Sequence, residues 1–162
     1  ARPQELTDQS TPASLGVAVE TLEALDAFRT DDEFARIAEQ AVATHGSRVR
    51  SNPLQHASLT LAADTITNGL LELALVADEV PPAYRAELAD RYLAPRVLAW
   101  RPADEDALAD WLDVLDLAET PPVWADRGQK DGEPTAYACK GQTCSPGRNE
   151  LDRALDWADR ML

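Results

Sequence analysis

Cysteine, lysine, aromatic residues and long apolar runs are all scarce in this chain. Only two of its 162 residues are cysteine. Two are too few for a disulfide scaffold, so the fold must rest on an apolar core, and a reducing cytoplasm is the expected compartment. No apolar run approaches the ~18 residues of a membrane-spanning helix, and no charged-then-apolar leader opens the sequence. Lys130 and Lys140 are the only lysines, and the formal charge is −14. Such a surface repels phosphate backbones and anionic lipid, so neither nucleic acid nor membrane is an expected partner. Leu75 to Pro82 contains no glycine, which removes the phosphate-cradling loop of a dinucleotide site, and no cofactor is expected.

What is present is a core. Hydrophobic residues make up 44% of the chain, enough to exclude disorder despite the charge. Acidic residues, aspartate above all, are spread along every predicted helix. That distribution resembles salt-adapted proteins, in which screening removes the self-repulsion of a high net charge. An ordinary acidic mesophilic protein is the alternative.

The first half reads as helices. Thr11-Pro12 predicts a start by a capping hydroxyl and an early proline. Leu15, Val19, Leu22 and Leu25 then follow at helical spacing to about Phe28. Thr30-Asp31-Asp32-Glu33 reads as a capping box for a second helix over 31–48. The short joint between the two predicts an antiparallel hairpin. Asn52-Pro53 opens a third helix, stopped by Asn68-Gly69. His45 and His56 read as packing or surface residues.

After Gly69 the period changes. Leu70 to Ala77 is almost continuously apolar, as in a strand covered on both faces. A helix from Pro81-Pro82 to about Leu93 follows, with Tyr84, Leu88, Tyr92 and Leu93 inward. Arg96 to Trp100 is a second strand, making a βαβ unit with parallel strands. Asp104 to Leu117 is an amphipathic helix with Leu108, Trp111, Leu112 and Leu115 on its apolar face. Its carboxylates fall on the outer face, so no metal site is read there. Val123-Trp124-Ala125 is a candidate edge strand, Ala136 to Cys139 a further short one, and Asn149 the expected cap of a last helix. The fold class is therefore α+β or α/β. Antiparallel helical hairpins over 1–69 precede a small, mostly parallel sheet of three to four strands with flanking helices over 70–162. The helices carry more apolar face than this sheet could cover, as a piece of a larger helical array would.

Cys139 and Cys144 lie in the most distinctive segment. Fully extended, they would be roughly 16 Å apart, so a disulfide requires the chain to turn back at Gly141-Gln142. Two free thiols, a structural or regulatory disulfide, and a metal site with distant ligands are the three readings.

Three segments resemble one family. Gly132-Glu133-Pro134-Thr135-Ala136-Tyr137-Ala138-Cys139 through Cys144-Ser145-Pro146 resembles the C-terminal "Thr-Ala-Tyr-Val-Cys…Cys-x-x-Pro" segment of the YyaL and spermatogenesis-associated thioredoxin-domain proteins. Arg2 to Ser14 is similar to their "Asp-x-x-x-Pro-Ser" helix start, and Arg91 to Val97 to their "Leu-Pro-x-x-Val" pattern. The family's Pro-Ser-Gly-Asn reads here Pro12-Ala13-Ser14-Leu15-Gly16. The resemblance implies a long parent with a thioredoxin-like domain and an α/α toroid similar to six-hairpin glycosidases, of which this chain would be the C-terminal end.

Three functions follow as expectations. The first is a structural and interaction segment with no self-contained active site, partnered by the rest of the parent polypeptide or by a second copy through the helical face. The second is part of a sugar-active enzyme, with an acid–base pair drawn from Glu20, Glu23, Asp26 and Asp64. The third is a thiol–disulfide protein using Cys139 and Cys144. For that role the spacing differs from Cys-x-x-Cys, and Lys140 is the only basic residue nearby in sequence. No reaction is legible.

Overall fold

The computed structural model describes residues 5–29, 33–93, 96–141 and 143–161. The chain forms two compact units, Ala1–Leu70 and Leu71–Leu162.

The first unit is helical: α1 (Ser14–Asp26), α2 (Glu33–Ser51), a 3-10 turn over Pro53–His56, and α3 (Ala57–Asn68). Val19, Ala38, Val49, Leu59 and Ala62 are buried together, with Leu15, Leu22, Ala41, Val42 and Ile66 packed against them. Leu15, Val19 and Leu22 of the run read at helical spacing join this core, whereas Leu25 is exposed, and Val49 enters it because α2 runs on past Arg48 to Ser51. Gly69, at φ 84°, ends α3 as its lack of a Cβ allows. The starts differ from the sequence reading. Thr11 does not cap α1; the Asp8 carboxylate does related work from further back. Its Oδ1 accepts from Ala13 N at 2.6 Å and its Oδ2 from Ser58 N at 2.9 Å, so one side chain serves the first turns of α1 and α3. The capping box at 30–32 lies outside the described residues. His56 is buried and donates from Nδ1 to Leu6 O at 2.6 Å, which makes it a packing residue.

The second unit holds β1 (Leu71–Val76), α4 (Pro82–Asp90), β2 (Arg96–Arg101), α5 (Glu105–Val114), β3 (Thr135–Lys140), β4 (Thr143–Cys144) and α6 (Leu151–Asp159). The strand order is β2-β1-β3-β4. β1 and β2 are parallel, joined by α4 as a βαβ unit. β3 is antiparallel to β1 and to β4. The sheet is thus mixed rather than mostly parallel. The connection from β2 to β3 holds α5 and then the long segment 115–134, enough chain to bring β3 back in either direction. Leu71, Leu73 and Leu75 of β1 pack with Ala136 and Ala138 of β3, Tyr84 of α4, and Leu151, Ala154, Leu155 and Ala158 of α6.

Other expectations need correction. Val123 to Ala125 forms a turn, not a strand: Pro121 and Pro122 have no N–H to offer a ladder, and Pro121 O accepts from Trp124 N and Ala125 N at 2.8 and 2.9 Å. α4 ends at Asp90, so Tyr92 falls beyond the helical stripe and is 94% exposed, while Leu93 is buried. Leu115 caps α5 and is exposed rather than inward. Asn149 does not cap α6; its Nδ2 donates to Lys130 O at 3.0 Å and Pro134 O at 3.2 Å, tying the loop before β3 to the chain after β4. No described helix is long and apolar enough to cross a membrane.

Candidate functional site

The site is built on the turn between β3 and β4. Lys140 pairs with Thr143, so the chain reverses tightly after Lys140, starting at Gly141. Such reversals need positive φ at their first central residue, and Gly141 has φ 58°. The turn places Cys139 directly opposite Cys144, with Cα atoms 4.0 Å apart, and the two sulfurs are joined as a disulfide. Of the three readings of the pair, the disulfide is the one realised. The two half-cystines differ in environment: Cys139 is 1% exposed, whereas Cys144 faces solvent.

Beyond Cys144 the chain continues alongside β3. Ser145 N donates to Ala138 O at 2.7 Å, Ser145 Oγ accepts from Ala138 N at 3.1 Å, and Ala136 exchanges both backbone bonds with Arg148. Together with β1 this fixes β3 on both sides and leaves the sulfur pair on a rigid strand.

Sequence reasoning missed the basic residue at this site. Arg127, twelve positions before Cys139, places its Nη2 at 2.9 Å from Cys139 Sγ and 3.4 Å from Cys144 Sγ. Its Nη1 donates to Pro122 O and Ala125 O, so the turn made by the two prolines fixes the guanidinium. Its backbone carbonyl accepts from Nη1 of Arg101 at 2.8 Å. Arg101 is buried at the end of β2 and also donates to Glu105 at 2.6 Å. Burial pushes the Arg127 guanidinium below its ordinary value, against the opposing charges of Glu72 and Asp126. Glu72 lies opposite Cys139 in the β1–β3 register. Lys140, the one cation near in sequence, instead donates to Met161 O at 3.2 Å. An open groove of about 380 Å³ beside this site is lined by Arg101, Glu105, Leu108, Trp124 and Arg127 among others. In sequence Arg127 lies in the polar loop from Asp126 to Gly132, and nothing local says where that loop folds.

The four acids considered for sugar chemistry do not form a pair across a cleft. Glu20 is exposed and shares a shallow groove with Asp8, Val17 and Leu61. Glu23 is half-buried, and burial with Asp26 and Glu39 nearby raises its carboxyl above the ordinary range. Asp26 Oδ1 accepts from Ala35 N at 3.3 Å, and Asp64 accepts from Asn68 Nδ2 at 2.7 Å, so both act locally on helix ends or turns. Among the described residues no three His, Cys, Asp or Glu side chains converge as metal ligands would.

No family model, no characterised protein and no solved structure matches this chain.

Proposed function

We propose that the chain is a structural and interaction segment of a larger protein, without a self-contained active site, whose helical unit is one end of an α/α array. One observation carries this reading: the helices seal a core yet keep apolar side chains in water. Val17 and Leu25, two turns apart on α1, are 45% and 41% exposed, and Leu61 of α3, on the groove that Val17 also lines, is 55% exposed. α1 and α3 thus leave large apolar side chains in water of the kind a neighbouring helix would cover. The family resemblance at 132–146 supports the same reading and suggests the rest of the parent polypeptide as the cover.

The test is sedimentation and apolar-dye binding of this chain in low and multimolar salt. The expected result is self-association or dye binding that the pair Val17→Glu and Leu61→Glu abolishes without loss of helix content. A compact monomer that binds no dye in either salt refutes the proposal.

A second reading, a thiol–disulfide protein working through Cys139 and Cys144, is favoured by the exposed Cys144 and by the Arg127 contact with both sulfurs. A sugar-active role gains no such support from Glu20, Glu23, Asp26 or Asp64.

A further inference from the structure

We propose that Arg127 makes the hairpin disulfide a directional exchange site, in which an external thiol attacks Cys144 and Arg127 holds the departing Cys139 sulfur as a thiolate. The proposal rests on the second reading above, that the pair cycles between disulfide and dithiol.

Direction comes from access. A thiolate must reach one sulfur and expel the other. Cys144 faces solvent and Cys139 is 1% exposed, so attack falls on Cys144 and Cys139 leaves. A thiolate left in a buried position is costly unless a cation donates to it. Arg127 Nη2 is the donor, nearer to Cys139 Sγ at 2.9 Å than to Cys144 Sγ at 3.4 Å. A hydrogen bond from a guanidinium to a full anion is stronger than the one it now makes to a neutral sulfur. The interaction therefore grows as charge develops.

The donor is also in place beforehand. Arg127 Nη1 is bound to Pro122 O and Ala125 O, and Arg101 holds the Arg127 carbonyl. Little reorganisation is then needed when the sulfur becomes charged. The opposing charges are Glu72 on β1, opposite Cys139, and Asp126 beside Arg127 in the loop; the phenol of Tyr137 is engaged with Gly128 O. Arg127 is within hydrogen-bond reach of both sulfurs. Lys140 is engaged at Met161 O.

The chemistry balances with a small-molecule thiol as reductant. R–S⁻ attacks Cys144 Sγ, forms the mixed disulfide R–S–S–Cys144, and breaks the Cys139–Cys144 bond to release the Cys139 thiolate. A second R–S⁻ attacks the R-side sulfur of the mixed disulfide, forms R–S–S–R and releases the Cys144 thiolate. Two electrons pass to the protein. Of the two protons lost by the thiols, one goes to Cys144 and one to water while Cys139 stays ionised.

The experiment uses the full chain equilibrated with reduced and oxidised glutathione, and thiolate ultraviolet absorbance of the reduced protein against pH. In the wild type, one cysteine is expected to titrate about one unit or more below the free-cysteine value of ~8.5. Arg127→Met is expected to restore the ordinary value and to move the glutathione equilibrium toward the disulfide, by about tenfold once the pH is above ~9 and by little near neutrality. Arg127→Lys, which keeps the charge, should recover most of the depression. Two cysteines titrating at the ordinary value in the wild type overturn the proposal whether or not the Met variant folds. Exchange that proceeds with the same pH profile in wild type and Arg127→Met removes the role of Arg127 but leaves the thiol–disulfide reading standing. A disulfide that glutathione and dithiothreitol both fail to open in the folded chain overturns both.

Discussion

Replacing Gly16 with alanine sets two known effects against each other inside α1. Helix propensity favours the change, since Ala is better than Gly by about 1 kcal/mol in a helix interior. Packing opposes it. Gly16 is buried where α1 crosses α3, and a Cβ there would lie 2.3 Å from Ser58 Oγ, 2.6 Å from Ser58 Cβ and 2.8 Å from the Ser58 backbone carbon. Rotating the hydroxyl relieves only the first contact. Ordinary carbon contacts are ~3.5–4.0 Å, so α3 must retreat by roughly 1 Å. The joint core of Val19, Leu59 and Ala62 would open with it. Overpacking of this kind costs about 1–3 kcal/mol, and a cost near the upper end exceeds the propensity gain. The expected net loss is about 1–2 kcal/mol, a fall in Tm of about 4–15 °C for a unit of this size. Thermal and urea unfolding followed by circular dichroism, at one fixed salt concentration, measure it. Gly46→Ala is the control: it sits in α2 with only the mobile end of Arg50 within contact distance, at 3.4 Å. There the propensity term should act alone and stabilise by about 0.5–1 kcal/mol. If Gly16→Ala is as stable as wild type while Gly46→Ala gains, the α1–α3 crossing is looser than described and the packing argument fails.

Further outcomes follow from single side chains. Asp8→Asn should cost about 0.5–2 kcal/mol, the value of a helix cap. Hydrogen bonds from the Ser58 and Ala13 amides hold the Asp8 carboxyl below its ordinary 3.8. Its contribution is therefore present above pH 3.8 and lost as pH falls through the depressed value, and a gap between wild type and variant that persists in stronger acid would contradict this. Glu23→Gln should act in the opposite sense. Burial, with Asp26 and Glu39, raises the Glu23 carboxyl above its ordinary 4.5, so ionisation weakens the fold as pH rises through that region. The variant should melt higher than wild type at neutral pH and equally below pH 4.5; equal melting at both would refute it. Tyr84 shares its one hydroxyl proton between Asn149 O and Pro134 O, so Tyr84→Phe should destabilise the second unit by about 0.5–1.5 kcal/mol by leaving Asn149 O short of a donor, Pro134 O keeping Asn149 Nδ2. Urea unfolding of the variant checks it, and no change in midpoint would count against that accounting. With a formal charge of −14, the melting temperature should rise from low to multimolar salt as self-repulsion is screened; a flat salt profile would sink the salt-adapted reading.

The sequence by itself determined what local chemistry determines. Helical periods in the first unit, the apolar run of β1, the βαβ step to β2 and the stop at Gly69 all depend on residues within one turn or one strand of each other. The turn at Gly141 was legible for the same reason, since a strand closed by Gly can reverse within two residues. Only the tertiary structure decided how distant segments meet. Asp8 serves Ser58 fifty positions away. β3 runs antiparallel to β1, and its connection through α5 and 115–134 is long enough to allow either direction. Arg127 reaches the sulfurs because Pro121 and Pro122 curl a segment that reads as a strand. These contacts join residues far apart in the chain, and their loop-closure cost is offset only by the packed whole. No window of sequence contains the information that selects them.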